Sequence, residues 1–66
     1  MEKTKLDYEY FLKPNFYNIL IEKREGRSRQ YVVWEKDSIV TDCLTKKEAY
    51  KLALSIFNEI DNRYRI

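Results

Sequence analysis

Residues 45–62 read TKKEAYKLALSIFNEIDN, and this stretch decides the fold because it joins a helix start signal to a long apolar stripe. Thr45 and Glu48 form a capping box: the threonine hydroxyl accepts from the Glu48 amide, and the Glu48 side chain reaches back to the Thr45 amide. Apolar residues then recur at three- and four-residue spacing, which is typical of a helix with one buried face. They are Ala49, Leu52, Ala53, Ile56, Phe57 and Ile60, flanked by Tyr50 and Leu54. The pattern predicts an amphipathic helix over residues 46–62.

Three segments upstream of this helix are rich in β-branched and aromatic residues, a composition that favours strands. These segments are residues 15–23, 30–35 and 38–43. The turn between the first two contains Gly26, the only glycine, and the short polar step Lys36-Asp37 separates the last two. We therefore predict an α+β fold, a three-stranded antiparallel meander packed against one C-terminal helix.

The chain length allows one small domain with a thin core. A chain of 66 residues buries only about 60% of the surface that it exposes when unfolded. We place the β-β-β-α domain at residues 15–66, after an N-terminal segment 1–14 in which residues 5–13 form a short helix or strand. Cys43 is the only cysteine, so no disulfide stabilises this core, and an intracellular, cytoplasmic setting fits best. No apolar run has the ~18 residues of a spanning helix, and no signal peptide is legible; we expect a soluble protein without a membrane partner.

Pairing the strands through their two turns predicts that both faces of the sheet are apolar. The face that we assign to the helix carries Tyr17, Ile19, Ile21, Tyr31, Val33 and Val40. The opposite face, called the outer face below, carries Phe16, Leu20, Val32, Trp34, Ile39 and Cys43, diluted by Asn18, Glu22, Gln30 and Thr41. One helix covers only one face, so the outer face needs another covering. Three coverings stay open: the N-terminal residues 6–12, a second copy of the chain in a homodimer, or a different macromolecule.

The composition excludes most catalytic and metal sites. The chain has no histidine, which removes histidine acid–base catalysis, Cys–His and Ser–His pairs, and the usual zinc ligand sets. A phosphate-binding loop needs clustered glycines, and Gly26 stands alone. Glu22 and Glu25 flank Arg24 and are interpreted as its charge partners. We therefore predict no enzyme activity, no metal and no cofactor.

Basic and aromatic residues mark the candidate binding surface. The hairpin tip, residues 22–29, carries four cations and two carboxylates, a net charge of +2 that equals that of the whole chain. The predicted partner-binding residues join this tip to the outer face: Phe16, Leu20, Val32, Trp34, Ile39, Lys23, Arg24, Arg27 and Arg29. A nucleic acid would instead meet Lys23, Arg27, Arg29, Lys46 and Lys47. The last two are included because lysines in the first helical turn oppose the helix dipole, which hints at a function. The competing interpretation is a solvated loop at the tip, with Trp34 as an ordinary core residue.

The order β-β-β-α, with a helix that begins Thr45-Lys46-Lys47-Glu48-Ala49, resembles the AP2-like, arm-type DNA-binding domains of phage and transposon tyrosine recombinases. That resemblance implies a sheet lying in a DNA groove, with Lys23, Arg27, Arg29 and Trp34 at the matching positions. The chain departs from the family at Cys43-Leu44, where a glycine-aromatic step often stands. It is also similar in style to short Lys/Ile/Tyr-rich phage proteins, many of which inhibit host enzymes or defence systems.

Two functional hypotheses follow. The leading one is a non-enzymatic protein-binding module, a phage or mobile-element regulator or inhibitor of a host protein, which uses the outer face and the hairpin tip. Its basis is the surplus apolar face and the rich supply of aromatic residues. The alternative is a DNA-binding domain that reads a groove with its sheet, based on the basic tip and the recombinase-like order.

Overall fold

The structure, a computed structural model, describes residues 6–64 and confirms the predicted α+β fold. A 3-10 helix, Tyr8–Leu12, is followed by β1 (Ile19–Lys23), β2 (Tyr31–Glu35), β3 (Ser38–Cys43) and α1 (Lys46–Tyr64). The strands form one antiparallel sheet in the order β1-β2-β3, the predicted meander. Residues 1–5, part of the predicted N-terminal segment, and residues 65–66 lie outside the described residues.

Helix α1 begins where the capping signal places it. The Glu48 amide donates to Thr45 Oγ1 at 3.1 Å, which gives one of the first unpaired amides of the helix a partner. The helix ends at Tyr64, two residues beyond the predicted end. Ala49 and Ala53 are fully buried, so the helix packs on the sheet through small side chains.

The N-terminal 3-10 helix completes the core between α1 and the sheet. The Asp7 carboxylate accepts from the Tyr10 amide at 3.1 Å and caps this helix. Phe11 is fully buried, and its ring meets those of Tyr50 and Phe57 edge to face. The segment therefore fills the helix side of the sheet. Its last residue, Leu12, reaches the margin of the outer face beside Leu20 and Trp34. Within residues 6–64 we find no element packed across the strands of that face.

Asn15 fixes the entry into β1, which starts later than the sequence predicts. Its Oδ1 accepts from the Ile19 amide at 3.0 Å, and its Nδ2 donates to the Ile19 carbonyl at 2.7 Å. Asn18 then adopts a left-handed backbone with φ of 57°. Because this conformation interrupts the strand, the predicted start at residue 15 is wrong, and Phe16 lies in the preceding turn, not on the outer face.

A bulge in β3 changes the face assignment of that strand. Val33 pairs with Thr41, but the next residue, Trp34, pairs with Ile39, which leaves Val40 as the extra residue. Val40 therefore has no partner on β2, and its side chain is exposed. The same one-residue shift turns Cys43 onto the helix face, where it is buried with the core, contrary to its predicted outer position.

At both edges of the sheet, side chains form hydrogen bonds with backbone groups of the edge strand. At the β1 edge, the Asn15 side chain is hydrogen-bonded to both the amide and the carbonyl of Ile19, as the backbone of a neighbouring strand would be. At the β3 edge, the Arg29 guanidinium donates to the Asp42 carbonyl at 3.1 Å, beyond the bulge. Both contacts reduce the number of free pairing groups along the edge strands.

The β2–β3 turn contains a strained residue that yields a stability prediction. Lys36 has φ of 56°, which costs a non-glycine residue about 1–2 kcal/mol. We expect Lys36→Gly to raise the free energy of unfolding by about 0.5 kcal/mol, since relief of this strain exceeds the added entropy of the unfolded chain. The neighbouring Asp37 has no positive φ, so Asp37→Gly should lower stability instead. Urea unfolding followed by the fluorescence of Trp34 measures both, and a loss of stability in both variants would contradict the strain argument.

Candidate functional site

Paired charged side chains cover the half of the outer face that lies nearest the hairpin tip. Val32 lies in register between Glu22 on β1 and Asp42 on β3, and only 2% of Val32 is exposed. Glu22 Oε1 accepts from Trp34 Nε1 at 3.0 Å and from Arg24 Nε at 3.2 Å. Val32 was predicted to contact a partner, but its burial leaves it no accessible surface for one. It is a core residue of the outer face.

The other half of the outer face exposes apolar side chains. Trp34 and Ile39 are paired across the β2–β3 ladder, and Ile39 is 50% exposed. Leu12, from the 3-10 helix, meets Leu20 and Trp34 at a shallow groove of about 420 Å³. We call the apolar residues of this surface the open half, and they are Leu12, Leu20, Trp34 and Ile39.

Trp34 is held in a fixed orientation within the open half. Its indole N–H donates to Glu22, and the Arg24 guanidinium donates to the same carboxylate oxygen. A side chain that is already ordered loses less conformational entropy when a partner binds. The predicted residues Leu20, Trp34 and Ile39 are therefore brought together on one surface.

The cations of the hairpin tip are largely paired with carboxylates. Lys23 Nζ lies 3.8 Å from Glu25, and Arg24 lies 3.2 Å from Glu22. Arg29 Nε lies 3.9 Å from the Asp42 carboxylate. Among the described residues only Arg27, of the four tip cations, has no ion pair. These contacts reduce the positive potential that a nucleic acid would meet at the tip.

The two lysines of the first helical turn have different surroundings. Lys46 Nζ lies 4.7 Å from the centre of the Tyr8 ring, a cation–π contact that ties α1 to the 3-10 helix. This contact gives Lys46 a structural role that the sequence pattern did not indicate. Lys47 is exposed on the same turn. Burial raises the pKa of Tyr8, and the nearby Tyr31 raises it further, so the Tyr8 ring stays neutral beneath the ammonium group at neutral pH.

A second groove, of about 790 Å³, lies where α1 ends against the β2–β3 turn. We call it the aromatic groove because Phe16, Tyr17 and Tyr64 line it, together with Asn18, Glu35, Lys36, Ile60 and Arg63. The sequence reasoning placed Phe16 on the wrong surface and did not single out Tyr64. A signal was available: Tyr64 follows Ile60 by four residues and so continues the apolar stripe of the helix.

The chemistry of the described residues is limited. Cys43 is a free thiol buried beside the helix start. Burial raises the pKa of its thiol, and the Glu48 carboxylate raises it further, so the thiol is protonated at neutral pH. Within residues 6–64 no group of three or more Cys, Asp or Glu side chains could hold a metal ion. In that same part of the chain, no helix has the length and apolar character needed to cross a membrane.

Comparison with known proteins identifies no relative of this chain. No protein family, no curated protein and no solved structure matches the chain.

Proposed function

We propose that the chain is a non-enzymatic protein-binding module whose partner docks on the open half of the outer face. The observation that carries this proposal is the set of four neighbouring apolar side chains, Leu12, Leu20, Trp34 and Ile39, with no element of residues 6–64 packed across them. Contiguous exposed apolar surface of this kind marks interaction sites.

The chemistry of the open half supports a protein partner. Trp34 is the side-chain type most enriched among residues that dominate interface energetics, and its bond to Glu22 orders it in advance. Paired charges border the open half on the tip side, and Lys36 lies at its groove. This arrangement gives an apolar centre with a polar rim, the usual anatomy of an interface.

A second part of the proposal concerns the biological setting in which the chain binds its partner. The likeness in style to small phage proteins favours a regulator or inhibitor that acts on a host protein inside the cell. A free, protonated Cys43 fits a reducing compartment.

Affinity capture with an exposed-site variant tests the protein-binding proposal. Ile39→Asp places a charge in the open half at a half-exposed position, so the fold is retained while partner affinity should fall at least about tenfold. Leu44→Asp is the matched control, because Leu44 is similarly exposed but lies outside the open half. A partner that binds the wild type and both variants equally would remove the open half as the docking site.

DNA binding through the sheet is the alternative, and the ion pairs of the tip do not favour it. A mobility-shift titration at low salt separates the two functions, because phosphate contacts make affinity fall steeply with salt. Removal of Lys23, Arg27 or Arg29 would each reduce that salt dependence if DNA were the partner. We expect no shift at low micromolar protein; salt-sensitive binding lost on Arg27→Ala would favour DNA over a protein partner.

A further inference from the structure

The two most exposed large hydrophobic side chains of the described residues line the same groove. Phe16 is 86% exposed and Tyr64 is 76% exposed, and both belong to the aromatic groove. Neither belongs to the open half, so the protein-binding proposal leaves them unused. Aromatic side chains bring a large apolar area to an interface at a small cost in conformational entropy.

Tyr17 holds these rings in place. The Tyr17 hydroxyl donates to Asp61 Oδ1 at 2.9 Å, which anchors it to α1. The Tyr64 ring stacks on Tyr17 at 6.0 Å with an interplanar angle of 9°, and Phe16 meets Tyr17 edge to face at 5.1 Å. The exposed rings therefore form an ordered surface before any partner arrives.

The groove also carries charges of both signs. Glu35, Lys36 and Arg63 line it, and within residues 6–64 none of the three forms an ion pair. A ligand of a single charge would meet an unfavourable group on one wall. A second copy of the chain carries the same charges of both signs and can complement the groove. A twofold axis can set each carboxylate of one copy opposite a cation of the other.

We propose that two copies of the chain pair through the aromatic groove about a twofold axis. In this dimer Phe16 and Tyr64 of each copy pack against the rings of the other. Glu35 of one copy faces Arg63 of the other, and the contact occurs twice by symmetry. A small domain with a thin core gains from burying this surface, and the open half stays free for a different protein. The inference does not depend on the proposed function, because the two surfaces share only Lys36 at their border.

Sedimentation equilibrium over a concentration series tests the dimer. The wild type should show a mass approaching twice the 8.1 kDa of the chain as the concentration rises to about 0.5 mM. Phe16→Ser should raise the dissociation constant at least about tenfold without unfolding the protein, since Phe16 lies almost wholly in solvent. Leu44→Ser is the control and should dimerise like the wild type.

A charge-exchange series tests the twofold arrangement. Glu35→Arg and Arg63→Glu should each weaken the dimer, because each sets like charges against one another across the axis. The double variant restores opposite charges at both contacts and should recover most of the wild-type affinity. Circular dichroism on each variant verifies that it is folded.

Three results would overturn the proposal. The first is a wild-type chain that stays monomeric over the whole series. The second is a dimer that persists unchanged in Phe16→Ser. The third is a dimer that is lost in Ile39→Asp but kept in Phe16→Ser, which would place the second copy on the open half instead.

Discussion

Replacement of Phe11 by alanine is expected to remove a large part of the free energy of unfolding of the protein. Phe11 is fully buried between α1 and the sheet, and its ring contacts those of Tyr10, Tyr50 and Phe57. Truncation of a buried phenylalanine costs about 3–5 kcal/mol, through lost transfer energy and the cavity that remains. A domain of 66 residues has a total stability of about 3–10 kcal/mol, so the loss is a large part of the whole.

Urea denaturation monitored by circular dichroism measures this effect. Leu12→Ala is the matched control, because Leu12 is the next residue of the same 3-10 helix and is 46% exposed. It should cost less than about 1 kcal/mol. A loss in Phe11→Ala as small as that expected for Leu12→Ala would show that the N-terminal segment does not contribute to the core.

Asn15→Asp should cost about 2–3 kcal/mol at neutral pH, although it replaces only one heavy atom of the side chain. The amide of Asn15 donates to the carbonyls of Tyr10, Lys13 and Ile19 at 3.3, 3.1 and 2.7 Å. An aspartate replaces this donor with an acceptor that faces three carbonyl oxygens, so the bonds are lost and the charge is repelled. The bond from the Ile19 amide to the remaining oxygen is kept, which confines the change to the donor side.

The pH dependence of this variant has a definite sign. Burial among carbonyl oxygens disfavours the ionised form, so the pKa of the introduced aspartate is higher in the folded than in the unfolded state. Stability is therefore recovered as the pH falls below about 4 and is lost as the pH rises through the folded-state pKa. Asn58→Asp, at an exposed position of α1, should change stability by less than about 0.5 kcal/mol. Equal effects at the two positions would show that the Asn15 contacts do not stabilise β1.

The sequence predicted the elements whose signals are local. The capping residues Thr45 and Glu48 and the apolar stripe after them define where α1 begins, because both depend on residues within a few turns of one another. The turn Lys36-Asp37 likewise placed β3 at its observed bounds. The faces of the apolar residues in β1 and β2 followed from simple alternation.

The rest depended on contacts that alternation does not encode. One bulged residue, Val40, reversed the faces in the second half of β3 and brought Cys43 into the core. The start of β1 depends on side-chain bonds from Asn15 and on the left-handed Asn18, neither of which appears in hydrophobic spacing. The open half was predicted through Leu20, Trp34 and Ile39. Val32 was misjudged because the carboxylates that flank it on β1 and β3, each paired with an arginine of the hairpin tip, exclude solvent from it.

The side-chain bonds at the sheet edges also bear on how the protein behaves when it is concentrated. An amyloid fibril grows when an incoming strand pairs with a straight row of unpaired amides and carbonyls on an edge strand. Asn15 and Arg29 interrupt such a row on either flank, and the kink at Val40 bends what remains. A binding partner is therefore expected to dock on a face of the sheet and not along its edges. We also expect concentrated solutions of the protein not to form amyloid fibrils.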